Sequence, residues 1–103
     1  MLENIKFVKF EKAKNKDKKL RAIFFDENKK RKATREFGAS GASDFTINKD
    51  KERKERYLDR HRARENWNDP LTKGALSRWI LWNLPTRAAA KADFARRFGL
   101  KLL

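Results

Sequence analysis

Three short β-rich runs, Ile5–Phe10, Leu20–Phe25 and Lys32–Phe37, stand in the first third of the chain, and from Asn48 onward the pattern turns helical. None of the three runs is long enough to be stable alone, because a strand needs neighbours and a covered face. They must therefore pair with each other. Asp26–Lys30 is a polar connection with Asn28 at a turn position, which marks a hairpin between the second and third runs. Lys12–Lys19 is a looser link between the first and second. The pattern predicts a three-stranded antiparallel β-meander. Gly38–Ser43 follows as a small-residue loop, and Asp44–Ile47 reads as a short fourth extended piece.

The second half carries helix punctuation. Asn48 is placed to cap a helix running to about Arg64, with Asp50 and Glu52 in its first turn. Asp50 with Lys54 and Glu52 with Arg56 sit at ion-pair spacing, and Tyr57, Leu58 and His61 supply a thin apolar side. Asp69-Pro70 has the form of a second helix start. Leu71, Ala75, Leu76, Trp79 and Ile80 then recur at helical spacing, which places Trp79 in the core and Trp82 close by. Thr86 is placed to cap a third helix, Arg87–Phe98, striped by Ala90, Phe94 and Phe98 and stopped by Gly99. The expected fold class is α+β: an N-terminal three-stranded antiparallel β-meander followed by about three α-helices. Length allows one domain over residues 1–103, β-rich over 1–47 and helical over 48–99.

Charge narrows the function. The net charge is +14, with Lys and Arg numbering 28 against 14 Asp and Glu. The excess is spread along the chain, so the positive surface should wrap the domain and favour a polyanionic partner. With no Cys and one His, neither a disulfide framework, a thiolate nucleophile nor a multi-histidine metal site is available, and no cofactor is expected. No apolar run approaches the ~20 residues of a membrane span, and residues 1–11 lack the apolar stretch of a leader.

Arg60, Arg62 and Arg64 offer planar forks suited to phosphate oxygens, although Asp59, Glu65 and Asp69 lie close enough to absorb them. His61 and Glu65 stand at i,i+4 without a nucleophile or a second His, so His61 reads as a packed, hydrogen-bonded residue. The Gly38–Ser43 loop lacks the Gly-Lys-Ser/Thr ending of a nucleotide-binding loop and reads as a flexible connection. Trp67 reads as a staple against the next helix. Phe24 and Phe25 are adjacent and must point to opposite sheet faces, so one of them needs a second cover or a partner.

The residues Arg60-His61, Arg64-Glu65-Asn66-Trp67, Asp69-Pro70, Gly74-Ala75-Leu76-Ser77-Arg78-Trp79-Ile80-Leu81-Trp82 and Arg96-Arg97-Phe98 form a long Trp-rich pattern. Phe37-Gly38 and Asp44-Phe45-Thr46-Ile47 extend it toward the N-terminus. This pattern resembles a family of small basic proteins of unassigned function encoded by giant DNA viruses of algae and protists. The resemblance implies a viral protein carried in the particle and names no activity.

Together these readings lead to a non-enzymatic basic protein of a virion, or of its assembly site in the host cytoplasm or nucleus. Its expected partner is nucleic acid, foremost viral DNA, bound without sequence preference. The expected contacts are Lys29, Lys30, Arg31 and Lys32 at the hairpin turn, Arg60, Arg62 and Arg64, and Arg96 and Arg97. The alternative is a minor capsid protein that sets its basic face on acidic capsid subunits, with Phe24 or Phe25 as an anchor.

Overall fold

The computed structural model describes residues 4–103. The β-meander is present. β1 (Phe7–Lys12), β2 (Lys18–Phe25) and β3 (Arg31–Ala39) pair antiparallel in sequence order. A two-residue strand, β4 (Lys101–Leu102), adds itself parallel to β1, giving the sheet order β3-β2-β1-β4. The sequence reading did not include β4. Two residues carry no strand signal of their own, and their extended form is fixed by Phe7 and Val8 across the ladder.

The period of two along each strand divides the sheet into unlike faces. Val8, Leu20, Ala22, Phe24 and Phe37 share one face and join Leu76, Ile80, Leu81 and Phe94 of the helical half in a single apolar core. Phe10 completes it, with its ring edge-on to Phe37 at 6.4 Å and to Phe94 at 5.6 Å. The opposite face carries Phe7, Ile23 and Phe25 among charged neighbours, with Ile23 buried and Phe7 partly exposed. Phe24 is fully buried while Phe25 stays partly exposed beside Phe7, its partner in the ladder. One residue of β3 is extra opposite Phe24 and Phe25, so the hairpin is locally bulged.

Four helices follow: α1 (Phe45–Asn48), α2 (Lys51–His61), α3 (Lys73–Leu76) and α4 (Arg87–Arg97). Asp44–Ile47 is therefore not extended. The Asp44 carboxylate accepts the Thr46 N–H at 2.9 Å and caps α1. Asn48 ends α1 and does not cap the next helix. Asp50 caps α2 by accepting from the N–H groups of Glu52 and Arg53, so it does not pair with Lys54. Lys54 Nζ donates instead to the Asn83 carbonyl at 2.7 Å. α2 stops at His61, three residues short of expectation, and Arg62 to Arg64 form a turn.

The Asp69-Pro70 pair builds a turn, and the third helix begins only after Thr72, whose hydroxyl accepts the Ala75 N–H at 3.1 Å. α3 passes directly into a π-helical turn, Ser77–Leu81, closed by Trp82 N–H on the Ser77 carbonyl at 3.1 Å. Thr86 does cap α4, as its sequence position implied. Ala75, Leu76, Ile80 and Trp82 are buried as expected. Trp79 is only half-buried. The guanidinium groups of Arg78 and Arg97 lie over its ring, 4.2 and 3.7 Å from the centre, and its Nε1–H donates to the Trp67 carbonyl at 2.8 Å.

Candidate nucleic-acid interface

The hairpin joining β2 to β3 folds on one carboxylate. Asp26 Oδ1 accepts the N–H groups of Asn28 and Lys30, each at 2.9 Å, and Lys29 takes a left-handed conformation at φ 61°. This turn holds Lys29 and Lys30 out from the sheet, and Arg31 and Lys32 open β3. All four are exposed. Asp26 spends Oδ1 on the turn, and its Oδ2 stands 3.9 Å from Lys32 Nζ. Lys29 Nζ lies 5.6 Å from the centre of the Phe7 ring, at the edge of the open sheet face.

The other expected cations fall into separate settings. Arg62 approaches Asp59 at 3.9 Å on the exposed surface, and Arg64 lies in the turn after α2. Arg96 and Arg97 converge on Asp93 at 2.8 and 3.3 Å. Burial alone would raise the Asp93 pKa, but hydrogen bonds from Asn83 and the two arginines outweigh it and hold the carboxyl below its ordinary value. These two arginines are thus partly neutralised, and Arg97 is also committed to the Trp79 face. Burial, and then the charges of Arg97 and Arg62, lower the Arg78 pKa, so the α2 end and the α4 end both face the region around Arg78.

Arg60 belongs to a feature that sequence reading missed. It lines a cavity of about 770 Å3 between the Gly38–Ser43 loop, α2 and the start of α3. Lys18, Arg53 and Lys73 line it too. Lys18 pairs with Ala39 at the end of the β2–β3 ladder opposite the hairpin, so about 25 Å of strand separates the two basic sites. The i, i+4, i+7 spacing of Arg53, Tyr57 and Arg60 on α2 was the one local signal of this face. The other cations come from remote segments.

The loop is shaped by two glycines. Gly38 has φ 80°, and a Cβ there would lie 2.8 Å from Leu81 Cδ1. Gly41 has φ 85° with open space around it. The loop forms one edge of the cavity, and its Gly38 end is packed closely against Leu81. Beside it, the rings of Trp82, Tyr57 and His61 stack, with Tyr57 4.4 Å from Trp82 and 4.2 Å from His61. Burial, and secondarily the Glu65 charge, push the Tyr57 hydroxyl well above its ordinary pKa, so it stays protonated. His61 Nδ1 lies 3.3 Å from Glu65 Oε2, the packed and hydrogen-bonded role its sequence context implied.

Residues 8–61 match the profile of a protein family described as "Family of unknown function (DUF5754)". The chain belongs to this family. No curated protein and no solved structure matches the chain. The family region takes in β1 to β3, the hairpin cations, the glycine loop and α2 up to His61. It therefore contains Lys29 to Lys32, Lys18, Arg53 and Arg60. Arg62, Arg64, Arg96 and Arg97, with the Trp-rich stretch, lie beyond it.

Proposed function

We propose that this DUF5754-family protein is a non-enzymatic basic protein that binds nucleic acid through the phosphate backbone, without sequence preference. The observation that carries this is the hairpin tip: four consecutive exposed cations at a defined turn, with one oxygen of the Asp26 carboxylate occupied by backbone N–H groups. Each phosphate neutralised by such a side chain releases condensed counterions, which supplies affinity at low salt. Lys29 and Lys30 project from a turn and can follow a backbone without disturbing the fold. The viral resemblance makes DNA packaged in a particle the polyanion in view, and the virion its place.

A second reading is favoured by the open sheet face. There Phe7 and Phe25 sit side by side within a basic surround, which suits docking on an acidic capsid subunit. Titration of several unrelated DNA duplexes across salt concentrations, run beside a pull-down from particles, separates the two. A steep loss of affinity with salt, equal for all sequences, supports nucleic-acid binding. Absence of DNA binding together with co-purifying capsid subunits supports the structural role.

A further inference from the structure

The cavity at the far end of the sheet has a charge imbalance that backbone binding at the hairpin does not use. Two acids lie on its wall, and both are engaged. Asp44 holds Lys19 at 2.6 Å and Arg87 at 3.6 Å, while Glu65 accepts the Trp67 Nε1–H at 3.0 Å and faces His61. Lys18, Arg53, Arg60 and Lys73 share the same concave space, with no carboxylate within 4.0 Å of any of them among the described residues. Converging like charges cost stability unless an anion occupies the space between them. The N–H groups of Gly41, Ser43 and Asp44 donate to no acceptor among the described residues, so the loop adds uncommitted donors to the same edge. Backbone N–H groups in such a turn suit an anion.

We infer that this cavity is a receptor for a phosphate monoester, the dianionic group at the end of a nucleotide. Several uncompensated cations favour a dianion over the single charge of an internal phosphodiester. The space of about 770 Å3 is ample for a mononucleotide unit. The Trp82–Tyr57–His61 stack supplies the neighbouring aromatic surface. Its inner rings are buried, and His61, with its side chain 31% exposed, offers the outer position to a base. The phosphate comes either from the 5′ end of a strand or from a free nucleotide. Of the cations assigned to backbone binding, only Arg60 is shared.

The test compares one single-stranded oligonucleotide with a 5′-phosphate and with a 5′-hydroxyl, alongside adenosine monophosphate and inorganic phosphate in thermal melts. The full chain is used together with an Arg53→Gln/Lys73→Gln variant and a second variant with Gln at all of Lys29 to Lys32. The 5′-phosphate should raise affinity about tenfold, and the cavity variant should lose this gain while the hairpin variant keeps it. Adenosine monophosphate binding as tightly as the phosphorylated strand assigns the site to free nucleotides, and a tighter strand assigns it to strand ends. Equal affinity for the two oligonucleotides, with no melting shift from either small phosphate, overturns the inference. Binding by the unaltered chain that does not weaken with salt, with the 5′-phosphate preference intact, counts against the backbone reading alone.

Discussion

Lys19 Nζ donates to Asp44 Oδ2 at 2.6 Å, with the two side chains only 10% and 1% exposed. This bond ties β2 to the cap of α1 and closes the base of the glycine loop. Thr46 donates to the same carboxylate through both its N–H and its hydroxyl.

Burial would raise the Asp44 pKa, but the hydrogen bonds from Lys19 and Thr46 prevail and lower it from its ordinary value of 3.8. A carboxyl depressed in the folded state contributes stability that is complete above its unfolded pKa and fades as pH falls through the folded one. Asp93 acts in the same direction. Melting temperature should therefore hold near neutrality and fall as pH drops below about 4. Asp44→Asn should flatten that fall. At neutral pH it should destabilise by about 3 kcal/mol, because Lys19 is left buried without its partner. An unchanged acid limb in melts of the variant would remove Asp44 from the pH response.

Gly38 and Gly41 should respond differently to substitution. Both occupy positive φ, but only Gly38 would place a Cβ against Leu81. Gly41→Ala should cost the conformational penalty of about 1–2 kcal/mol. Gly38→Ala should add overpacking of roughly 1–3 kcal/mol. Urea denaturation of the two variants checks the order, and equal losses would show that Leu81 yields freely.

Trp79→Ala should destabilise by about 2–3 kcal/mol, less than the roughly 3–5 of an enclosed aromatic, since one ring is lost from a half-buried site. Arg97→Ala should cost about 0.5–1 kcal/mol through the lost ring contact. Chemical denaturation measures both. A Trp79 loss under about 1 kcal/mol would mean that the ring contributes little to the core.

The parts of the fold legible in sequence are those decided locally. Asp26–Lys30 marks a hairpin because Asn and Asp suit turns, and Thr86 and Gly99 mark the ends of α4 because caps are local chemistry. Asp44–Ile47 misled because Phe, Thr and Ile favour strands, while one cap hydrogen bond decides for a helical turn. Asp69-Pro70 misled similarly, since Asp69 accepts the Leu71 N–H at 3.0 Å within a turn and leaves capping to Thr72. β4 and the cavity were not legible, because each depends on residues far apart in sequence. Lys18, Arg53 and Lys73 meet only once β2, α2 and α3 are packed. The hairpin cations were visible as a run, and their exposure follows from the turn.

The most direct measurement is DNA affinity as a function of salt for the unaltered chain and for the variant carrying Gln at Lys29, Lys30, Arg31 and Lys32. Exposed turn charges contribute little to stability, so the variant should melt like the parent. If these side chains hold phosphates, the variant should bind all duplexes more weakly by the same factor. Its log–log salt slope should be shallower by roughly 2–4, at about 0.9 per lost contact. An unchanged affinity and slope would contradict the proposal, leaving the hairpin as a solubilising tip and nucleic-acid binding without its principal contact.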